Sequence, residues 1–267
     1  MEKISSRKNN RNYCLFRKIQ EEYKMKLYGN LAKFYDLLYS YRDYGKEVNF
    51  LVRNLPPIEN PRLLDVACGT GSHLEAVRKK LPRAELTGID LNQDMLDITA
   101  EKGLNAKLIK ADMRGFDLRE KFNLVYCLSS SIQYNLSRED FEKTISSMRK
   151  HATDGKVIFD LAYCAERWRE GYTNITANSN ERYEVAELYT SHSLGGFSHW
   201  NPIYLIKDKQ TGEIDMHVDK HVIKLWSVPE VEDILRNNNV PYILKQGLSQ
   251  TEEPSAVPIF ILEGLKN

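Results

Sequence analysis

The arrangement of apolar and polar residues is regular between about residues 62 and 161. Short apolar runs alternate there with segments in which apolar residues recur every three or four positions. The first pattern is typical of buried strands and the second of amphipathic helices, so a doubly wound parallel sheet with helices on both faces is predicted. The predicted strands are Arg62–Ala67, Ala84–Ile89, Ala106–Lys110, Phe122–Leu128 and Lys156–Leu161, and the predicted helices are His73–Leu81, Gln93–Glu101 and Arg138–His151.

The pattern changes after Leu161. Residues 165–224 contain stretches in which apolar and polar residues alternate between glycine-containing turns. This alternation is typical of antiparallel strands with one covered face, and it predicts a β-insert in the α/β fold. A capped helix over Pro229–Asn237 follows. The remaining predicted strands are Arg182–Leu188, Pro202–Lys207 and Glu213–His221 in the insert, and Tyr242–Leu248 and Val257–Leu262 after it.

Aromatic residues are concentrated near the start of the chain, where seven of the 15 tyrosines fall within the first 44 residues. Apolar residues from Leu31 to Tyr39 recur at helical spacing, and a second predicted helix runs from Asp43 to Asn54. We therefore predict a core over residues 27–164 and 225–267 with an N-terminal aromatic cap. The insert covers residues 165–224, and residues 1–26 form a mobile basic arm.

Charge is nearly balanced over the 267 residues, with 38 Lys plus Arg against 37 Asp plus Glu. This balance argues against a protein that packages nucleic acid, although the arm alone carries eight basic and three acidic residues. No apolar stretch is long enough for a secretory signal or a membrane span. The four cysteines are far apart in the sequence and form no Cys-x-x-Cys pair, which indicates reduced thiols and a cytoplasmic location. They are Cys14, Cys68, Cys127 and Cys164.

The most informative segment lies where the first predicted strand ends in a glycine turn that opens a helix. Gly69 and Gly71 allow positive φ and a close approach of ligand to backbone. A dinucleotide fingerprint would need a third glycine where Leu74 stands, and no Gly-Lys-Ser/Thr of a P-loop follows. Asp65, four residues before Gly69, suits a cofactor that carries positive charge.

Two further carboxylates follow the next two predicted strands. Asp90 stands 19 residues after Gly71, where a carboxylate is expected to bind both hydroxyls of an unphosphorylated ribose. Asp112 ends the third strand and can accept a hydrogen bond from an exocyclic amine, while Met113 offers an apolar contact to a base. Taken alone, Asp112 is also explained as a helix cap. Together with the glycine turn, the acids predict a site for a nucleoside with an amino-acid-like cation.

These motifs resemble the class I S-adenosylmethionine-dependent methyltransferases, with their Rossmann-like sheet. The strings Asp-Val-Ala-Cys-Gly-Thr-Gly-x-His, Ala-Asp-Met-Arg and Ser-Ser-x-Ile are most similar to the amino-sugar N-methyltransferases, and the first is also similar to glycine/sarcosine methyltransferases. The resemblance implies S-adenosyl-L-methionine as cofactor, S-adenosyl-L-homocysteine as product, and an insert on the acceptor side. It assigns cofactor binding to Tyr28, Tyr35, Asp65, Ala67, Gly69, Gly71, Asp90, Leu91, Met95, Asp112, Met113 and Leu128.

Several of these assignments have a plain alternative. Met95 is equally well explained as a helix core residue, and Tyr28 and Tyr35, expected to close over the sulfonium, as packing of the N-terminal helix. His73 is either a cofactor-pocket residue or a surface residue. His217, Asp219 and His221 alternate along one predicted strand, but such alternation is common, so no metal site is expected.

The acceptor is expected beyond the fourth strand. Gln133 and Tyr134 stand where the sugar enzymes have a glycine–histidine pair, so this chain departs from the family there. The two residues are expected to orient the acceptor, but Tyr134 is equally well explained as a residue that only caps the pocket. A phenol is a poor general base near neutral pH, because its pKa is ~10. The sugar enzymes also have an arginine near the last strand that helps to hold the sugar nucleotide, and this arginine has no clear counterpart around Ser255–Pro258. Both departures put a nucleotide-sugar acceptor in doubt.

The sequence thus predicts an enzyme that transfers a methyl group to a small-molecule amine, resembling an amino sugar or an amino acid. Two alternatives stay open: an RNA or protein methyltransferase that uses the basic arm, and a non-catalytic protein that binds S-adenosylmethionine. We expect no membrane partner and no nucleic acid, and a homodimer is left open.

Overall fold

Two units make up the part of the chain that the computed structural model describes, which is residues 25–152, 154–247 and 257–266. The larger unit consists of Asp43–Arg167 with the chain from Trp226 onward. The smaller unit combines the described residues up to Arg42 with Trp168–Leu225. The first residues of the predicted core, from residue 27 to residue 42, were expected to cap that core, but they cluster with the insert. Residues 1–24 of the predicted arm lie outside the described residues.

The chain first forms a short helix of the smaller unit, α1 (Tyr35–Leu38), after one 3₁₀ turn. It then alternates between helices and strands of the larger unit, as the apolar pattern predicts, with ends shifted by one or two residues. These elements are α2 (Tyr44–Arg53), β1 (Arg62–Val66), α3 (Ser72–Lys80), β2 (Glu85–Asp90), α4 (Gln93–Glu101), β3 (Ala106–Lys110), β4 (Leu124–Cys127), α5 (Arg138–His151) and β5 (Lys156–Asp160).

The insert forms two antiparallel sheets, one of four strands in the order β11-β10-β7-β6 and one of three in the order β12-β9-β8. The prediction of a single strand over Glu213–His221 is wrong. The strands β11 and β12 belong to different sheets, and Asp219 and Lys220 between them belong to neither strand. The strands are β6 (Thr173–Ser179), β7 (Tyr183–Thr190), β8 (Ser193–Leu194), β9 (Phe197–Trp200), β10 (Ile203–Asp208), β11 (Ile214–Val218) and β12 (His221–Lys224).

The chain returns to the larger unit through α6 (Val228–Asn237), β13 (Tyr242–Gln246) and β14 (Pro258–Glu263). Its seven-stranded sheet has the order β13-β14-β5-β4-β1-β2-β3, in which β14 is antiparallel to both neighbours. The Rossmann-like α/β prediction is confirmed. Because β1, β2, β4 and β5 are parallel, their carboxyl ends lie at one edge of the sheet.

The sheet of the larger unit is covered on both faces. Leu64 and Val66 of β1 belong to one apolar cluster with α5 and α6, whereas Leu63 belongs to a second cluster with α2, α3 and α4. Successive residues of a strand point to opposite faces, so one strand contributes to both clusters. The strands are therefore held rigidly below the loops that follow them. None of the helices in the described ranges is long and apolar enough to cross a membrane.

The smaller unit has its own apolar cluster. Leu27, Leu31, Phe34 and Leu38 of the N-terminal segment pack with inward residues of β7 and β10. The backbone N–H of Leu27 also donates to the Asp219 carboxylate at 2.8 Å, across 192 residues of sequence. The N-terminal segment is thus an integral layer of this unit.

Candidate cofactor and acceptor site

The turn after β1 has an unusual backbone. Ala67, Gly69 and Gly71 all have positive φ, at 61°, 55° and 74°. A Cβ atom on Gly71 would lie 2.5 Å from Cγ2 of Thr99 in α4, so only glycine fits there. A Cβ on Gly69 would meet nothing within 4 Å, so there is space directly above its backbone. The turn is held tightly on the α4 side and is open at Gly69, where a ligand can approach the backbone.

Asp90 at the end of β2 braces this turn. Its Oδ2 accepts from the Gly69 N–H at 2.9 Å and its Oδ1 from the Asn92 N–H at 2.8 Å. The Thr99 hydroxyl donates to the Gly69 carbonyl at 2.8 Å from the other side. Burial raises the pKa of Asp90, although the backbone N–H groups oppose the rise. Each carboxylate oxygen still has a lone pair for a further donor.

Asp65 at the end region of β1 is a buried acid with one unsatisfied oxygen. Its side chain is 2% exposed, and its Oδ2 has no hydrogen-bond partner. Burial raises its pKa well above the ordinary range, an effect that the Tyr126 hydroxyl opposes and the Asp90 charge increases. A buried carboxylate without a partner is costly, and a cationic ligand group would compensate it.

The other predicted cofactor residues of the larger unit have contrasting surroundings. Leu91 is 54% exposed, as expected for a residue that packs on a ligand, whereas Met95 and Leu128 are buried in the fold. The Asp112 carboxylate is half-exposed and binds the guanidinium of Arg114 through Nε and Nη2. Met113 contacts the core and accepts a weak hydrogen bond from Asn135.

The loop after β4 is held by a residue that the sequence did not single out. Ser129 and Ser130 both have a φ of 60°, and Asp160 at the end of β5 accepts from the Ser130 N–H and hydroxyl at 3.0 and 3.2 Å. Gln133 is fully buried, and its amide exchanges two hydrogen bonds with the backbone of Tyr163. Gln133 therefore fixes the β4 and β5 loops to each other, and Tyr134 follows it half-buried.

Comparisons with known proteins agree with this geometry. Residues 63–155 match the family model described as a methyltransferase domain. The chain is 31% identical over 207 residues to the dTDP-3-amino-3,4,6-trideoxy-α-D-glucopyranose N,N-dimethyltransferase of Streptomyces venezuelae, covering 75% of this chain and 86% of that protein. It is 31% identical to the dTDP-3-amino-3,6-dideoxy-α-D-glucopyranose N,N-dimethyltransferase of Streptomyces fradiae, covering 76% and 81%.

The chain belongs to the family of these N-methyltransferases. The crystal structure of Streptomyces venezuelae DesVI superposes with a TM-score of 0.77 at 26% identity, covering 87% of this chain and 98% of that one. The chain is an S-adenosylmethionine-dependent methyltransferase that transfers a methyl group to an amine of a small-molecule acceptor.

The part of the methyltransferase site that lies in the larger unit fits S-adenosylmethionine. The cofactor carries a cationic amino group, two ribose hydroxyls and an adenine base. The unpartnered Oδ2 of Asp65, the remaining lone pairs of Asp90 and the space above Gly69 match the first two groups in kind. The exposed Leu91 side chain offers an apolar contact to the base.

Tyr28 and Tyr35 lie in the smaller unit of the methyltransferase, and their contact with the sulfonium stays a prediction. Their rings are 6.3 Å apart, and Tyr28 also meets His221 edge-on at 5.3 Å. His221 lies 3.2 Å from the Asp219 carboxylate, and both side chains are buried. Among the described residues no group of three His, Cys, Asp or Glu side chains is placed to hold a metal ion.

The surface alternative for His73 is wrong. The residue is 7% exposed, and its Nε2 lies 2.6 Å from Oε2 of Glu47 in α2. The rings of Tyr44 and Tyr126 meet it edge-on. His73 thus connects α2 with the helix that follows the glycine turn, a contact that only the folded chain creates.

Glu187 of β7 is a buried acid that sequence reasoning missed. Its Oε1 accepts from the hydroxyls of Tyr39 at 3.4 Å and Tyr204 at 3.3 Å. Burial raises the pKa of Glu187 to about 7, although both phenols oppose the rise. In the sequence Glu187 alternates with Val185 and Tyr189, so the three residues share one face of the strand. The alternation does not tell which face of the strand is buried, and the burial of Glu187 could therefore not be predicted.

Replacing Glu187 with Gln should reduce the pH dependence of stability. A carboxyl whose pKa is raised in the folded state stabilises most below its unfolded pKa, and this contribution is lost as pH rises through about 7. The wild-type free energy of unfolding should therefore fall by about 2 kcal/mol between about pH 5 and about pH 8 from this group. Urea unfolding at both pH values measures this difference in the free energy of unfolding. Glu213→Gln, at an exposed glutamate, is the control and should leave the difference unchanged. An unchanged difference in the Glu187→Gln variant would contradict the argument.

Proposed function

We propose that this enzyme methylates the amino group of a nucleotide-linked amino sugar. The observation that carries the proposal is the extent of the match to the two dTDP-amino-sugar N,N-dimethyltransferases. It covers about three quarters of this chain, far beyond residues 63–155 of the methyltransferase domain. Residues outside the cofactor-binding core are where acceptor preference is expected to reside, since the core supports many acceptors in one fold.

The cofactor roles proposed for the larger unit start from the acceptor oxygens of Asp65 and Asp90. Asp65 binds the cationic amino group, because its buried Oδ2 has no other partner. Asp90 binds the ribose hydroxyls while it keeps the Gly69 turn in place. Asp112 and Met113 receive the adenine, with Leu91 against its face. Ala67, Gly69 and Gly71 supply the backbone cradle, and Met95 and Leu128 support it from the buried side.

When bound, the cofactor would supply a methyl group on a sulfonium, and the neutral thioether that is left when the S–CH3 bond breaks is a good leaving group. What remains for the protein is to hold the neutral amine in line with that methyl, and alignment of this kind is worth ~7–11 kcal/mol. Tyr28 and Tyr35 are proposed to face the sulfonium, where an aromatic ring favours a cation. Tyr134 is proposed to orient the acceptor through its hydroxyl, and Gln133 to hold Tyr134 in position through its bonds to Tyr163.

A product assay tests the proposed acceptor. Purified enzyme and S-adenosylmethionine are incubated with a dTDP-3-amino sugar, with the same amino sugar lacking the nucleotide, and with glycine, and mass spectrometry follows methyl gain. We expect one or two methyl groups on the nucleotide-linked sugar alone. Methylation of glycine, or of the free sugar equally well, would contradict the proposal.

The proposed reaction takes place without nucleic acid and in the cytoplasm. A small-molecule acceptor needs no basic surface such as the arm that supported an RNA acceptor. Cys68, Cys127 and Cys164 are buried free thiols, which suits a reducing compartment.

A further inference from the structure

Tyr126 of β4 is a buried phenol that none of the proposed cofactor roles uses. The residue is 0% exposed, and its hydroxyl has no hydrogen-bond partner. Oδ2 of Asp65 in β1 is likewise buried without a partner. Asp65 and Tyr126 are Cα partners in the parallel register of β1 and β4, so their side chains leave adjacent strands at the same level.

Both side chains lie on the same face of the sheet. Leu63 and Tyr126 belong to the apolar cluster formed with α2, α3 and α4, and Asp65 shares the face of Leu63 because side chains alternate along a strand. The hydroxyl of Tyr126 is close enough to the carboxyl of Asp65 to oppose the rise in pKa that burial causes. A buried donor and a buried acceptor, each without a partner, therefore lie side by side.

The ring of Tyr126 is confined by the helices on this face. His73 of α3 meets the ring edge-on, with centroids 6.4 Å apart. Nε2 of His73 lies 2.6 Å from Oε2 of Glu47 in α2, so His73 is itself held in place. A phenol hydrogen rotates about the C–O bond, so the hydroxyl can turn its hydrogen towards Asp65 without a movement of the ring.

We propose that Tyr126 is a positioning residue for the cofactor, whose hydroxyl donates to Asp65 and holds the charged carboxylate in place for the cationic amino group. The inference rests on the proposed role of Asp65. A carboxylate oxygen has two lone pairs, so Oδ2 can accept from Tyr126 and from the amino group together. Burial and the Asp65 charge raise the pKa of Tyr126 well above its ordinary value, so the phenol keeps its proton at neutral pH.

The other titratable groups near Asp65 do not favour its charged form. Asp90 of β2 repels the Asp65 charge and raises its pKa. Burial and both acids raise the pKa of the Cys68 thiol in the glycine turn, so Cys68 stays neutral and is a weak donor. His73 is bound to Glu47. Among the described groups that change the pKa of Asp65, Tyr126 is thus the one that stabilises the carboxylate.

Tyr126→Phe removes the hydroxyl and keeps the ring. Isothermal titration calorimetry compares S-adenosylhomocysteine with methylthioadenosine, which has the thioether, ribose and base but no amino-acid group. Because hydrogen bonds to a charged group are strong, the affinity for S-adenosylhomocysteine should fall by about 10-fold or more, and that for methylthioadenosine by less than about twofold. Tyr242→Phe is the matched control, since this phenol of the edge strand β13 also donates to a carboxylate, that of Glu232 at 2.8 Å. It should change neither affinity.

The pH dependence of binding separates this role from packing. A hydrogen bond to the ionised carboxylate lowers its pKa, so Tyr126→Phe should raise the pKa of Asp65. S-adenosylhomocysteine binding should then weaken at a higher pH on acidification, with the acid limb shifted upward by about one pH unit. Titrations below about pH 7 keep the ligand amino group, with a pKa of ~8, protonated. Tyr242→Phe should keep the wild-type limb.

Equal losses for both ligands, unchanged affinities, or an unshifted acid limb would overturn the proposal. Retained binding of methylthioadenosine also shows that the variant is folded. Asp65→Asn distinguishes this failure from that of the cofactor role on which the inference rests. If Asp65→Asn weakens S-adenosylhomocysteine binding and Tyr126→Phe does not, only the role of Tyr126 is wrong. If Asp65→Asn leaves that binding unchanged, the proposed role of Asp65 itself fails.

Discussion

Replacing Asp90 with Ala is expected to lower the affinity of the enzyme for S-adenosylmethionine by about 100-fold or more. Hydrogen bonds to a charged acceptor contribute ~1.5–3 kcal/mol each, and the proposed role gives Asp90 two of them to the ribose. The substitution also leaves the Gly69 N–H without its acceptor at 2.9 Å, so the turn itself becomes less ordered. Binding of both S-adenosylmethionine and S-adenosylhomocysteine should fall together, because they share the ribose.

Isothermal titration calorimetry with both ligands measures the effect. Asp97→Ala is the matched control, since Asp97 is an exposed acid on α4 that accepts from Gln93 at 2.8 Å. A melting curve of the Asp90 variant separates loss of binding from loss of fold. Unchanged affinity in a folded Asp90→Ala protein would exclude the ribose role.

Asp65→Asn is expected to have two opposite effects. Binding of S-adenosylmethionine should fall by about 100-fold, because a neutral amide replaces the carboxylate proposed to hold the cationic amino group. The ligand-free protein should become more stable by about 1–2 kcal/mol at neutral pH, because the variant no longer buries a carboxylate whose Oδ2 has no partner.

The pH dependence of that gain follows from the raised pKa of Asp65. A raised pKa in the folded state makes the wild type lose stability as pH rises above the ordinary carboxyl range of ~4. The advantage of Asp65→Asn should therefore be present at neutral pH and vanish below about pH 4.

Asp160→Asn provides the contrasting control for these measurements. Asp160 is also 2% exposed at a strand end, but Ser130 donates to both of its oxygens. Its replacement should destabilise the protein. Thermal unfolding of the three ligand-free proteins gives the comparison, and a loss of stability in Asp65→Asn as large as that in Asp160→Asn would contradict the argument.

The acids around the glycine turn could be predicted because their positions are set locally. Asp65, Gly69 and Gly71 belong to one strand, turn and helix, and Asp90 ends the adjacent parallel strand, so strand order alone brings them together. Asp160 could not be recognised in the same way. Its partner Ser130 is 30 residues away in the chain, and nothing in either local sequence identifies the other.

The strands of the insert were also predicted incompletely from local sequence. Its alternating segments predicted antiparallel strands, but β6 was missed because Thr173–Ser179 contains few apolar residues. The end of β11 was misplaced because His217, Asp219 and His221 continue the alternation across the break between β11 and β12. A period of two identifies a strand without showing where its sheet partners end.

The sequence by itself determined the α/β core, the cofactor class and most of the acids proposed to bind it, because these depend on periodicity and on motifs of a few residues. Tertiary structure alone decided that residues 25–42 form a layer of the insert unit and that Glu187 is buried between two phenols. These features depend on contacts between residues far apart in the chain, and such pairings are fixed by which faces become buried when the whole unit folds.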